Sequence, residues 1–261
     1  MSRLHSMLSW SIASPQQRSD WFWKFAVADI IAHRRYLIEE GLHHGDDQPH
    51  DFELKAIDTF CEIAIQGEQD DDAAVEAATH LIYSLSDATR GRVSAAMLYN
   101  HGSGPKVRAA LLKHTWLRGK SGSVLALNGG SLTSIVSYFQ EVERADLMDP
   151  EEIETLSSLS ETVRVFRGAK MKYSVKSTSF ALSWSRDYPT ARRFALHGHG
   201  SGEGVVLSAE IPRVAILALW ETSGAELEVV VNPRRLRKVQ IAERIDKAEE
   251  LAAWGIVGEA A

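Results

Sequence analysis

The sequence of 261 residues has one cysteine, no long apolar run and no internal repeat. A single thiol, Cys61, excludes an intramolecular disulfide, a four-cysteine zinc site and a CxxC redox pair. The longest uninterrupted apolar segment, Val214 to Trp220, is far too short to cross a bilayer. Polar residues interrupt the apolar positions of the N-terminal segment, so we expect no signal peptide. These absences favour a cytoplasmic protein, or one delivered into a target cell without a signal peptide, and we expect no membrane partner.

Charge is distributed unevenly along an otherwise ordinary composition of 44% hydrophobic and 25% charged residues. Residues 1–160 contain 14 Lys and Arg against 23 Asp and Glu, a net charge of −9. Residues 161–261 contain 15 against 12, a net charge of +3. The mildly basic C-terminal part permits an anionic ligand without requiring one.

The hydrophobic period changes near residue 162. Before it, helices are predicted at about 19–40, 51–66, 72–86, 105–118 and 131–145, and Asp149-Pro150 is typical of a further helix start. After it, β-branched runs predict strands at 163–166, 204–211, 214–220 and 227–231, with one helix at about 188–196. The predicted fold class is α+β: a helical N-terminal region, residues 1–160, packed on a β-rich C-terminal module, residues 161–261.

Several patterns typical of ligand sites are incomplete. Gly119-Lys120-Ser121 matches the end of a phosphate-binding loop, but His114 stands where the first glycine belongs. The histidines at positions 43, 44, 50, 197 and 199 lie in segments whose Gly, Pro and Asp content is typical of solvated loops. No metal site is predicted.

Three segments of the C-terminal module carry polar residues in a suggestive order. Arg167-Gly168 ends the first predicted strand. Ser183-Trp184-Ser185 precedes the helix with Ala191 and Phe194-Ala195, and Glu226-Leu227-Glu228 follows a glycine-containing turn. Residues i and i+2 of a strand share a face, so the two glutamates are predicted side by side. Such like charges cost stability unless a cation or ligand uses them, although a solvated edge also explains one pair.

In order and spacing, these segments resemble the ADP-ribosyltransferase superfamily, in the Arg–Ser–Glu branch of the cholera-toxin-like and clostridial enzymes. The resemblance covers about residues 163–232. It implies a mono-ADP-ribosyltransferase that cleaves NAD at the nicotinamide–ribose bond and transfers ADP-ribose to a macromolecular acceptor, with NAD as substrate and no metal. A bacterial or phage toxin, effector or defence enzyme is the setting that it implies.

The resemblance also implies a role for each residue of the pattern. Glu228 stabilises the positive charge that develops on the ribose, and Glu226 orients or deprotonates the acceptor. Arg167 holds the phosphates or ribose of NAD, and Ser183 keeps the site in register. The backbone of Gly168 approaches the nicotinamide amide. The further NAD-binding residues are Ser185, Trp184 and Phe194, and the nicotinamide ring is flanked by Phe180, Trp184 or Tyr173.

Two serine triplets compete for the second motif. Ser177-Thr178-Ser179 spells the triplet that is commonest in the family. In the family, however, the triplet runs closely into the helix, and Ser185 is nearer to Phe194 than Ser179 is. Ser183 is therefore interpreted as the motif serine, with residues 177–179 as the alternative.

The acceptor and the partners are less defined. A glutamate at the first position of the pair, Glu226, is typical in the family of transfer to arginine side chains, whereas the positive charge of the module keeps an RNA or DNA acceptor open. An antitoxin or immunity protein is a further implied partner, and the N-terminal helices serve as a structural subdomain or bind acceptor or partner. The alternatives are an NAD glycohydrolase without acceptor, a non-catalytic NAD- or ADP-ribose-binding regulator, and a helical scaffold with an incidental motif.

Overall fold

A computed structural model describes residues 10, 12–66, 72–100, 103–119, 131–170, 180–197, 204–222 and 226–246. The chain divides into two compact units, Met1–Leu147 and Met148–Ala261. The first unit is built of helices and the second contains a six-stranded antiparallel sheet, which confirms the predicted α+β class. No helix within the described ranges is long and apolar enough to span a membrane.

The helices that the structure describes in the first unit are α1 (Pro15–Glu39), α2 (Asp51–Phe60), α3 (Asp72–Ser84), α4 (Asp87–Asn100), α5 (Pro105–Arg118), α6 (Leu132–Gln140) and α7 (Arg144–Leu147). Helices α1 to α5 surround one apolar core. A π-helical turn, Cys61–Ile65, continues α2. The fully buried side chains include Phe22, Phe60, Leu81, Met97 and Leu111, which come from five different helices. Burial of these side chains, each contributing about 1.5–3 kcal/mol, is the main force that holds the helices together.

Two elements of this unit differ from the sequence prediction. Helix α1 begins at Pro15 rather than near residue 19, because Ser14 and Gln17 form a reciprocal capping box. Helix α4 was not predicted, since Gly91 in its middle lowers helix propensity. Its Val93 and Met97 side chains are fully buried in the core, and this tertiary packing outweighs the local cost.

The second unit begins with helix α8 (Pro150–Ser158), whose predicted cap is confirmed by a capping box between Asp149 and Glu152. Glu152 also accepts a hydrogen bond of 3.1 Å from the backbone N–H of Glu221 in the sheet. This helix therefore belongs with the sheet, and the division between the units falls before it rather than at residue 160. The elements that follow are β1 (Thr162–Lys170), β2 (Ser183–Ser185), α9 (Tyr188–His197), β3 (Gly204–Pro212), β4 (Ile216–Thr222), β5 (Glu226–Val231) and β6 (Arg237–Ile245).

The strand order is β4-β5-β2-β1-β3-β6, with every pair antiparallel. The connection from Pro212 to Ile216 is a single 3₁₀ turn, and four Cα steps reach at most about 14 Å. In a flat sheet, β3 and β4 would lie four strand spacings apart, about 19 Å. The sheet must therefore curl, so that β4 and β5 approach β3.

Helix α9 covers one face of β1 and β3. Ala191 and Ala195 of the helix pack with Val206 and Ile245 of the sheet, and Phe166 and Tyr188 pack against this cluster. The curl of the sheet protects the other face, so residues 204–209 of β3 are buried on both sides. This doubly buried strand supports the neighbouring strand β1, which carries Arg167 and Gly168.

Candidate active site

Three adjacent strands bring together three of the predicted site residues. Arg167 lies on β1, Ser183 on β2 and Glu228 on β5, and β2 is the strand between the other two. These residues are 16 and 45 positions apart in the chain. Antiparallel pairing of short strands, rather than sequence proximity, therefore creates the cluster.

Ser183 and Glu228 form the centre of the cluster. The Ser183 hydroxyl donates a hydrogen bond of 2.7 Å to Oε1 of Glu228. In the register, Ser185 is opposite Glu228 and Ser183 is opposite Val230, so the bonded pair are diagonal neighbours on one face. Both side chains are half-buried. A hydrogen bond to an ionised carboxylate is stronger than a neutral one, and it fixes the direction in which the carboxylate points.

Arg167 approaches this pair from the other side of β2. One terminal guanidinium nitrogen, Nη1, donates to the backbone carbonyl of Ser183. The Nε atom is buried and has no hydrogen-bond partner within the described part of the chain. Burial lowers the pKa of Arg167 below its usual value, and the negative charge of Glu228 opposes that shift. Because an arginine guanidinium stays protonated in proteins, the site contains a fixed positive charge with an unused donor.

The strands β1 and β2 separate beside this cluster. They share one register pair, Phe166 with Ser185, among the residues that the structure describes. Extending that register places Gly168 opposite Ser183, yet the strands do not continue as a ladder there. The Arg167 side chain instead bonds to the Ser183 carbonyl. The Arg167 side chain therefore bridges the two strands beside Ser183 and Glu228.

Gly168 is required by the packing of helix α9. A Cβ atom at this position would lie 2.0 Å from the backbone oxygen of Ala191 and 2.5 Å from the backbone nitrogen of Ala195. Such distances are far below van der Waals contact, so no other residue fits without moving the helix. The resemblance implies that the backbone of Gly168 approaches a ligand, whereas the atoms nearest to its Cβ position belong to α9.

Ser185 and Trp184 are buried in the scaffold around the site. The Ser185 side chain, 5% exposed, accepts a hydrogen bond of 3.0 Å from the backbone N–H of Asp187. Trp184 is 2% exposed, and its indole N–H donates to the carbonyl of Ala181 at 2.9 Å. The predicted ligand contact of Trp184 therefore requires correction, since strand alternation points its ring into the core.

The aromatic candidates that remain are on the surface. Phe194 on α9 is 52% exposed, and Phe180, just before β2, is 45% exposed. Both can contact a ligand without rearrangement of the core. Tyr173, the alternative triplet 177–179 and the turn residues Gly224 and Ala225 lie outside the described residues.

Glu226 begins β5, two residues before Glu228, so the prediction that the pair heads a strand is confirmed. The position of the Glu226 side chain lies outside the described part of the molecule. Its backbone pairs with Thr222 of β4, at the end of the sheet away from Ser183.

The structure adds residues that the sequence analysis missed. Asp187 caps α9, because its carboxylate accepts a hydrogen bond of 2.7 Å from the backbone N–H of Thr190. Glu243 of β6 accepts from the Tyr188 hydroxyl and from Nε of Arg192 at 3.2 Å, which ties α9 to the edge of the sheet. The Asp-Tyr-Pro sequence is a recognisable helix start, whereas no local pattern relates Glu243 to a helix some fifty residues earlier.

The cluster combines a carboxylate of fixed orientation with a half-buried arginine whose Nε atom is buried. A carboxylate of this kind stabilises a developing positive charge on a ligand, and a guanidinium with a spare donor holds an anionic or hydroxyl-rich group. Within the ranges that the structure describes, no group of three or more His, Cys, Asp or Glu side chains could hold a metal ion. Comparisons of the chain with protein-family models, curated proteins and solved structures found no match.

Proposed function

We propose that this protein is a mono-ADP-ribosyltransferase that uses NAD as its substrate. The observation that carries the proposal is the contact between motif residues from three strands: Ser183 bonded to Glu228 at 2.7 Å, and Arg167 bonded to the Ser183 carbonyl. The order of these residues in the chain predicts the motif independently of the distances between them. If the motif were incidental, there would be no reason for its three residues to contact one another in the folded chain.

The proposed reaction breaks the bond between the ribose C1′ and the nicotinamide nitrogen. Nicotinamide leaves with the electron pair of that bond, and the ribose develops positive charge. Glu228, held by Ser183, stabilises that charge, and Arg167 binds the negative phosphates or the ribose. A nucleophilic atom of the acceptor then bonds to C1′, and its proton passes to Glu226 or to water.

The two closest alternatives share the NAD site but differ in the products. An NAD glycohydrolase uses water as the nucleophile and releases ADP-ribose and nicotinamide. A non-catalytic regulator binds NAD or ADP-ribose and releases neither. The helical unit is proposed as a structural subdomain that can also bind an acceptor, an antitoxin or an immunity protein.

Labelled NAD provides the test. The purified chain is incubated with whole-cell lysate and NAD labelled in its adenylate part, and is compared with the Glu228→Gln variant. The matched control is Glu221→Gln, which removes the same charge from an exposed position on the adjacent strand β4. We expect label on macromolecules with the unmodified chain and the control, and a loss of about 100-fold or more with Glu228→Gln.

Protease and nuclease treatment then identify the acceptor. Label that protease removes indicates a protein, and label that nuclease removes indicates RNA or DNA. Nicotinamide release without label favours the glycohydrolase. Binding of NAD with neither product favours the regulator, and no binding at all contradicts the proposal.

A further inference from the structure

A basic segment leads from β5, the strand that carries Glu228, into β6 and includes the first two residues of β6. It contains four cations in five consecutive positions, Arg234, Arg235, Arg237 and Lys238, and all four side chains are exposed. No acidic residue occurs from Asn232 to Ala242. We call residues 234–238 the basic connector.

The backbone of the basic connector is fixed by local contacts. Pro233 to Arg235 form a 3₁₀ turn, and the Asn232 side chain accepts a hydrogen bond of 3.1 Å from the backbone N–H of Arg234. The Asn232 N–H donates to the carbonyl of Ala215 at 3.2 Å. The connector therefore presents its cations from an ordered turn, which reduces the entropy lost when they bind a ligand.

A bulge at the start of β6 exposes two cations in succession. Lys238 has a φ of 49°, in the left-handed region, and the pairing of β3 with β6 shifts between Ser208 and Glu210. Regular strand alternation would turn one of two neighbours inward, whereas Arg237 and Lys238 are both exposed. A non-glycine residue in this conformation is uncommon, and here it accompanies exposure of the Lys238 side chain.

A further cation, Arg164 of β1, lies near the basic connector, and Glu210 of β3 lies between them in the sheet. Glu210 is in register with Arg237 on one side and with the exposed Arg164 of β1 on the other. The Glu210 carboxylate accepts from Nζ of Lys238 at 3.0 Å. The connector and Arg164 together carry five cations, and Glu210 is the acid that the strand register of the described residues places among them.

The chemistry of this surface fits a phosphate backbone better than a protein partner. Leu236 and Val239 are half-buried, so charged side chains provide most of the exposed surface of residues 234–238. Protein interfaces usually have an apolar centre with a charged rim, whereas the exposed side chains of the connector itself are all charged. Arginine forks match phosphate geometry. Protection of the edge strand β6 would explain Lys238, but not two arginines in the turn before the strand.

We propose that the basic connector binds the phosphate backbone of a nucleic acid and, resting on the proposed function, that a nucleic acid is the acceptor of ADP-ribose. Arg234 follows Glu228 by six Cα steps, so the two Cα atoms are at most about 20 Å apart. A nucleic acid on the connector therefore lies within reach of the NAD site. A nucleophilic nitrogen or oxygen of the nucleic acid bonds to C1′ as nicotinamide leaves, and the displaced proton passes to Glu226 or to solvent.

The binding test uses the full chain and fluorescence anisotropy with a DNA duplex of about twenty base pairs and with single-stranded RNA of similar length. Four phosphate contacts predict that affinity for the duplex falls by about 100-fold between 50 and 200 mM salt. The double variant Arg235→Gln, Arg237→Gln should bind at least about tenfold more weakly at 50 mM salt. Its salt slope should be smaller by about 1.8, since each phosphate contact contributes about 0.9.

The matched control is Lys24→Gln, Lys55→Gln, which removes two exposed cations from the helical unit and should leave binding nearly unchanged. The proposal is overturned if the unmodified chain does not bind at 50 mM salt, or if both double variants weaken binding equally. It is also overturned if polyglutamate competes as well as the nucleic acid, because the surface then fits an acidic protein segment. Equal unfolding temperatures for the variants exclude a folding defect.

Nicotinamide release without added acceptor separates the two proposals. The connector variant should release nicotinamide as fast as the unmodified chain, while its label transfer to nucleic acid falls by at least about tenfold. Nucleic-acid binding without nicotinamide release refutes the transferase but retains the binding surface. Nicotinamide release with label on protein alone refutes the nucleic-acid acceptor and leaves the transferase standing.

Discussion

Each unit of the molecule contains an arginine that is buried or half-buried, and the two guanidinium groups are held differently. In the helical unit, Arg90 donates to the backbone carbonyls of Ile82, Leu85 and Arg118 at 2.7 to 2.9 Å, and to the Asp87 carboxylate at 2.7 Å. In the sheet unit, Arg167 donates to the Ser183 carbonyl, while its buried Nε has no partner among the described residues.

The difference separates a structural arginine from one suited to a ligand. The carbonyls that Arg90 satisfies belong to the ends of helices α3 and α5, where the last carbonyls lack helical partners. The hydrogen bonds of Arg90 therefore satisfy carbonyl groups at the ends of two helices and connect those helices. Arg167 instead interacts electrostatically with the Glu228 carboxylate that Ser183 orients. Burial of a donor without a partner costs free energy, and an acceptor that bonds to it recovers that free energy.

The largest effect is expected when the structural arginine is changed. Arg90→Lys keeps the charge but cannot make four directed bonds, so buried carbonyls lose their partners. We expect a loss of about 3 kcal/mol in the free energy of unfolding, or about 10 °C in the unfolding temperature. Thermal unfolding followed by circular dichroism measures it. Arg35→Lys, an exposed arginine paired with Asp47, is the control and should change stability by less than about 0.5 kcal/mol.

At the site, we expect the arginine-to-lysine substitution to lower activity more than stability. Arg167→Lys removes the planar fork and the Nε donor, so NAD binding and turnover should fall together by about 100-fold. Stability should change less than in Arg90→Lys, because an ammonium group can still donate to the Ser183 carbonyl. Initial rates of nicotinamide release and the unfolding temperature are measured on one preparation. Loss of stability without loss of activity would place Arg167 with Arg90 as a structural residue.

Gly168→Ala tests whether the glycine serves packing or ligand approach. The new methyl group would lie 2.0 Å from the Ala191 carbonyl, so α9 must shift, at a cost of about 1–3 kcal/mol. We expect a lower unfolding temperature without NAD present. An unchanged unfolding temperature with a raised KM for NAD would show instead that the position serves the ligand.

The smallest effect is expected at the serine that orients the carboxylate. Ser183→Ala removes the 2.7 Å hydrogen bond to Glu228 but leaves the Arg167 contact, which uses the backbone carbonyl. We expect about a tenfold loss in kcat/KM and a stability change within about 1–2 kcal/mol. Ser183→Thr retains a hydroxyl and should recover part of the activity. Equal activity of the serine, threonine and alanine proteins would contradict the positioning role.

The sequence predicts those elements whose signals are local. Helix α5 coincides with its predicted range, and α8 begins at the predicted cap, because Pro105 and Pro150 start these helices. The strands with buried β-branched residues, β3 and β5, are also close to their predicted limits. Strand β6 was missed, since its exposed charged residues alternate with half-buried ones and make no apolar run.

The sequence predicts which residues form the cluster but not all of their contacts. Arg167, Ser183 and Glu228 follow from a motif, whose order in the chain is visible in the sequence. The burial of Trp184 and the contact of Gly168 with α9 depend on how the sheet curls and where the helix crosses it. Both are tertiary relations between distant segments, and no local period encodes them.

The most direct test of the account is the release of nicotinamide from NAD by the purified full chain. The unmodified protein and Glu221→Gln are predicted to release nicotinamide at similar rates, and Glu228→Gln at least about 100-fold more slowly. The carboxamide keeps the shape of the side chain and its bond to Ser183 while it removes the charge. Equal release by all three proteins, or none by the unmodified protein under any acceptor tested, would contradict the assignment of Arg167, Ser183 and Glu228 as an NAD-cleaving site.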